Sequence, residues 1–200
     1  MNKLREPSKK INVGSGKDIK PKNMGWINLD IHNRFGAECI FDLNKIFQGK
    51  KIPFKDNTFS YTLCSHVLED FIDPVPIMDE LVRITKPGGR IDIRVPYETT
   101  TWDGIFHKRP FNVITFLSYL NRESYENPKM PLRIEKVKFY TSKTDLNSFL
   151  VNPLFTIKRY LVKNLFNLMV SIKKWSVDYS FVKYFSHNIY LKVIYIKTKE

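Results

Sequence analysis

Lys10-Ile11-Asn12-Val13-Gly14-Ser15-Gly16, followed by Gly25-Trp26-Ile27-Asn28-Leu29-Asp30-Ile31, are the segments on which the fold turns. A short apolar run breaks into Gly-Ser-Gly, and a second apolar run ends on an acid. That is how a strand-loop-strand unit holds a nucleoside. Gly14 and Gly16 let backbone amides approach a ligand closely, and a carboxylate at the tip of the next strand can accept hydrogen bonds from both ribose hydroxyls. The ligand class this implies is adenosine-like. Gly14-x-Gly16 continues into Lys17-Asp18-Ile19, without the third glycine of a dinucleotide fingerprint. Only nine residues, Pro21 and Gly25 among them, separate Gly16 from Trp26. They are too few for the long helix that carries a pyrophosphate on its N-terminus, which disfavours a pyrophosphate cofactor.

Working outward, Phe41-Asp42-Leu43-Asn44 closes a third short strand, and Pro53 to Ser60 reads as a loop leading into a buried strand over Tyr61-Thr62-Leu63-Cys64. Pro74 and Pro76 suit a helix start after Asp73, with Ile77, Leu81 and Ile84 on one face. Lys86-Pro87-Gly88-Gly89 is expected to stop that helix through a left-handed glycine cap. In Ile91-Asp92-Ile93-Arg94-Val95 the alternation suggests a strand with one face less covered. The order of these segments, through Ser65-His66-Val67-Leu68-Glu69-Asp70 and Lys86-Pro87-Gly88-Gly89-Arg90, resembles the class I S-adenosylmethionine-dependent methyltransferases, in their type 11-like branch. The resemblance covers roughly residues 9 to 120. It implies an α/β, Rossmann-like three-layer sandwich whose mostly parallel sheet ends in an antiparallel edge hairpin.

Two hundred residues, 42% of them hydrophobic and 14% aromatic, fit one domain spanning 1–200. No run approaches the length of a membrane span, and Met1 to Pro7 lacks the apolar core of a signal peptide, so a cytoplasmic location is expected. Cys39 and Cys64 have no CxxC or His partner at metal spacing; reduced thiols are expected and no metal site.

The net charge of +13 is concentrated late in the chain, where residues 151–200 carry nine cations against two acids. A solvated basic face explains this, and so does an anionic partner: peripheral contact with an anionic membrane surface, or nucleic acid. From Leu161 to Trp175 a polar stripe at Asn164, Asn167, Ser171 and Lys174 leaves most of the rest of the circumference apolar, which suits a lid on its own domain or a helix in the membrane interface. Leu132 to Tyr140 and His187 to Lys197 are strand-rich and are the candidates for the edge hairpin. A helical, basic and aromatic insertion at about 142–186 would then separate them and sit beside the substrate mouth.

The resemblance assigns roles. Gly14, Ser15 and Gly16 would pass beneath the methionine part of S-adenosylmethionine, Asp30 would hold the ribose hydroxyls, and Asp42 with the Leu43 amide would read the adenine edge. Ser65 and His66 would stand beside the sulfonium and the acceptor. Methyl transfer needs donor and acceptor held in line and a base when the acceptor is a hydroxyl or amine, and His66 and His107 are the candidate bases. The branch commonly carries Glu-His where this chain has Glu69-Asp70. The expected function is methyl transfer to an unidentified acceptor, with glycan or lipid biosynthesis as the setting. The alternatives are a catalytically silent S-adenosylmethionine- or partner-binding domain and, disfavoured by the short glycine loop, a nicotinamide oxidoreductase.

Overall fold

The computed structural model describes residues 9–97, 105–121, 130–141, 164 and 189–198. Seven strands form one sheet: β1 (Lys10–Val13), β2 (Trp26–Asp30), β3 (Cys39–Ile40), β4 (Phe59–Ser65), β5 (Thr85–Pro96), β6 (Leu132–Thr141) and β7 (Ile189–Lys197). Their order is β3-β2-β1-β4-β5-β7-β6. The first five run parallel, and β7 pairs antiparallel with both β5 and β6. The expected edge hairpin is therefore present. The insertion expected at about 142–186 lies outside the described residues, apart from Asn164.

The core follows the apolar pattern of the strands. Ile11, Val13, Leu29 and Phe59 are fully buried, and Val193 and Leu191 meet them from the antiparallel edge. Helix α1 (Val75–Ile84) lays Ile77, Leu81 and Ile84 into this core at no exposure. Pro74 stands at its start, and Asp73 Oδ1 accepts from the Val75 amide at 3.0 Å. In α2 (Val113–Asn121), Asn112 Oδ1 takes the Thr115 amide at 2.9 Å, and Phe116 and Tyr119 are buried.

Some local expectations change. The third strand is only two residues long, and Asp42 instead N-caps the 3-10 turn Leu43–Gln48 by accepting from the Asn44 amide. Helix α1 stops at Thr85, not at the glycines: Thr85 is extended, and its hydroxyl bonds back to the Leu81 carbonyl at 2.6 Å. Gly88, at φ +78°, and Gly89 lie inside β5 as an irregularity in its pairing with β4, where a Cβ on Gly89 would meet the Ser60 carbonyl oxygen at 3.1 Å.

The alternation in β5 marks a buried charge, not a bare face. Asp92 has zero exposure and binds Arg94 Nη2 at 2.9 Å, Lys192 Nζ at 2.8 Å and the Tyr61 hydroxyl. Burial pushes its carboxyl up, but the hydrogen bonds from Arg94, Lys192 and Tyr61 outweigh that and hold it below the usual carboxylate range.

The loop between β1 and β2 holds only a 3-10 turn at Lys22–Met24, in place of a long helix. Two buried asparagines tie it down. Asn12 Nδ2 donates to the Asp18 carbonyl at 2.7 Å and to Asn28 Oδ1 at 3.2 Å, while Asn28 exchanges hydrogen bonds with the Lys20 amide and carbonyl at 2.8 and 2.9 Å. Glu38 Oε2 closes the set on the Asn28 amide at 2.8 Å. The loop thus gets its shape from satisfied buried amides without needing a helix.

Candidate active site

The carboxyl ends of β1 to β4 open onto a cavity of about 610 Å³. That size lies within the range of roughly 300–1,000 Å³ usual for small-molecule sites. Gly14, Gly16, Asp30, Asp42, Leu43 and His66 all line it. Of the other sequence candidates, Ser15 is buried, with no hydrogen-bond partner for its hydroxyl among the described residues, and Ser65 ends β4 without lining the cavity. His107 is half-buried in the segment 105–110, close enough to Asp70 for its charge to act on that carboxyl.

Asp30 organises the loop it faces. Its Oδ2 accepts from the Gly16 amide at 2.8 Å, and its Oδ1 accepts from the His32 amide at 3.2 Å. Each carboxylate oxygen has further lone pairs, so Asp30 can hold a pair of hydroxyls while it keeps the glycine loop in place. The two glycines serve different ends. At Gly14, φ +66°, a Cβ would stand 2.2 Å from Val67 Cγ2, so packing by Val67 demands glycine there. At Gly16, φ +49°, a Cβ would meet nothing within 4 Å. The space over Gly16 belongs to the cavity, where a bound ligand can approach the backbone.

Asp42 lies at the far side. The Asn44 amide and side chain hold its carboxyl below the usual range. Phe41 and Leu43 supply apolar wall beside it, and Phe71, stacked on Phe47 at 6.0 Å, continues that wall. Ile105 and Phe106 stand at the cavity with 91% and 77% of their surface exposed. Lys108 is the cation of the lining, and its amide donates to the Glu69 carbonyl at 2.6 Å, which docks this segment on the turn after β4.

That turn carries groups the sequence reading passed over. Asp70 lines the cavity; burial and the neighbouring Glu69 push its carboxyl up, against the opposing charges of His107, Lys108 and His66. Glu69 itself is 1% exposed, and its Oε1 stands 3.2 Å from His66 Nδ1. A carboxylate three residues after a strand-end histidine is visible as a pair in the sequence, but its burial is not.

The sheet order has counterparts among known proteins. A methyltransferase-domain model matches residues 27–93, from β2 through β5. The molecule has the fold of the class I methyltransferases. A demethylmenaquinone methyltransferase of Streptomyces avermitilis is 38% identical over 98 residues, covering 42% of this chain and 39% of that protein. The chain spans less than half the length of the curated relatives it matches. Among solved structures, an S-adenosylmethionine-dependent methyltransferase of Archaeoglobus fulgidus superposes with a TM-score of 0.54 at 16% identity, over 94% of this chain and 86% of that one. The [4+2]-cyclase SpnF superposes with a TM-score of 0.58 at 13% identity, over 98% and 78%. At such identity these likenesses concern the class I fold alone. That a cyclase shares it shows why the reaction must be argued from the site.

Among the described residues, no group of His, Cys, Asp and Glu could hold a metal ion, and no helix is long and apolar enough to cross a membrane. Cys39 and Cys64 are free thiols, half-buried and buried.

Proposed function

We propose that the protein is an S-adenosylmethionine-dependent methyltransferase. The observation that carries this reading is Asp30: a carboxylate at the tip of β2, bonded to the Gly16 amide and lining a cavity of about 610 Å³ at the carboxyl ends of the parallel strands. Asp30 would hold the ribose hydroxyls, Gly16 would give the methionine portion close access to backbone, and Asp42 and Leu43 would border the adenine. When bound, the cofactor supplies a methyl group already activated on a sulfonium. The chain then has to position an acceptor and take its proton. His66 lines the cavity and is the base we favour over His107, which does not.

For the acceptor, the exposed Ile105 and Phe106 beside Lys108 support a molecule with an apolar body and an anionic part. Of the two settings, glycan or lipid biosynthesis, this favours lipid.

The test is calorimetry with S-adenosylmethionine, S-adenosylhomocysteine and NAD. Binding of the first two and not the third is expected. Binding of NAD alone would replace the reading with a nicotinamide site, and binding without turnover on any acceptor would favour the silent domain.

A further inference from the structure

We infer that Glu69 is a positioning residue for His66, fixing its imidazole as the Nδ1–H tautomer so that Nε2 is the proton acceptor; the inference rests on the reading of this cavity as a methyl-transfer site. Glu69 lies in the 3-10 turn Leu68–Asp70, with its side chain 1% exposed. A buried carboxylate costs free energy unless it is paired. The partner of Oε1 is His66 Nδ1 at 3.2 Å, and Oε2 has no hydrogen-bond partner among the described residues. An apolar residue would fill that position at lower cost if filling were its purpose. A carboxylate only accepts hydrogen bonds, so Nδ1 must carry the proton, and Nε2 is left with the lone pair.

Three further features hold the imidazole. His66 sits at φ +56°, a left-handed conformation uncommon outside glycine, with its amide donating to the Arg94 carbonyl at 2.9 Å. Its ring meets Tyr190 edge-on, with centroids 4.9 Å apart. The turn carrying Glu69 is pinned in turn, because the Glu69 carbonyl accepts from the amides of Lys108 and Arg109. Strained backbone next to a buried charge at a cavity wall is the signature of a group held for chemistry.

The step this arrangement serves is balanced as follows. The acceptor's heteroatom bonds to the methyl carbon, and the carbon–sulfur bond breaks with its electron pair passing to sulfur. The acceptor's proton moves to His66 Nε2, and the Glu69 carboxylate stabilises the imidazolium so formed.

Nitrogen-15 NMR on the full chain with labelled histidine, recorded above the histidine titration range, reads the tautomer directly. The chain has four histidines, and loss of one signal set in His66→Gln assigns the relevant one. The expected result is a His66 signal with Nδ1 protonated, converting to a tautomer mixture in Glu69→Ala and in Glu69→Leu, which fills the buried volume without a hydrogen bond. A wild-type His66 protonated at Nε2, or an Nδ1–H form that survives in either variant, overturns the proposal. Should neither variant fold, the wild-type tautomer alone decides. Calorimetry with S-adenosylhomocysteine separates the two readings: Glu69 does not line the cavity, so affinity should stay within a few-fold in the variants. A wild type that fails to bind would sink the cofactor reading and leave the tautomer result standing.

Discussion

Replacing Asp30 with alanine tests the cofactor reading at its strongest point. Two hydroxyls held by one carboxylate are two charge-assisted hydrogen bonds, each worth about 1.5–3 kcal/mol. Losing both costs about 3 kcal/mol at the low end, and since about 1.4 kcal/mol is tenfold in affinity, S-adenosylhomocysteine should bind more than 100-fold more weakly. The same carboxylate also takes the Gly16 amide at 2.8 Å and the His32 amide at 3.2 Å. These sit on a loop that water reaches, so their loss should reduce folding stability by only about 0.5–1.5 kcal/mol each at most. The loop also keeps its Asn12 and Asn28 clamps. Asp30→Asn keeps an acceptor oxygen for Gly16 but loses the charge, and because charge assistance roughly doubles such a bond, about tenfold weakening is expected. Calorimetry gives the affinities, and thermal melts confirm that each variant is folded. A folded Asp30→Ala protein that binds within about threefold of wild type would refute the reasoning.

Gly14→Ala should destabilise the protein by about 1–3 kcal/mol, because the new methyl would stand 2.2 Å from Val67 Cγ2; an unchanged melting temperature would contradict the packing. Gly16→Ala has open space and should cost only about 1–2 kcal/mol of backbone strain while weakening S-adenosylhomocysteine binding, read by calorimetry. His66→Asn should lower turnover on an identified acceptor about 100-fold or more with cofactor affinity nearly unchanged. The reverse pattern would place His66 on the cofactor. Asp92 has its carboxyl depressed in the fold, so its contribution to stability is complete above its unfolded value of about 3.9 and fades as pH falls through the lower folded value. Acid titration of stability should therefore be flatter below that pH in Asp92→Asn, and identical acid profiles would remove Asp92 from the account.

What could be read from the chain, and what could not, divides along a physical line. The strands were legible because burial of a strand is written into its own residues: Ile11 and Val13, or Leu191 and Val193, are apolar wherever their neighbours come from. The candidate ligand groups Gly16, Asp30 and His66 were legible too, since they stand where such runs end, and the strand ends of a parallel sheet share one face. Polar residues inside elements were misread or missed because their meaning depends on partners far along the chain. Asp92 looked like a solvent-facing position, yet Lys192 reaches it from the antiparallel edge. Asn12 and Asn28 drew no reading of their own from the sequence, yet they shape the glycine loop where a helix would otherwise stand. Glu69 was noted only for the residue after it, while its side chain lies buried against the histidine at the cavity. Burying a polar group is costly without a partner, so a polar residue in an otherwise apolar frame calls for a partner elsewhere in the fold. Here one such partnership supports the sheet, one shapes the loop, and the third, between Glu69 and His66, sits at the cavity wall where a proton would have to leave the acceptor.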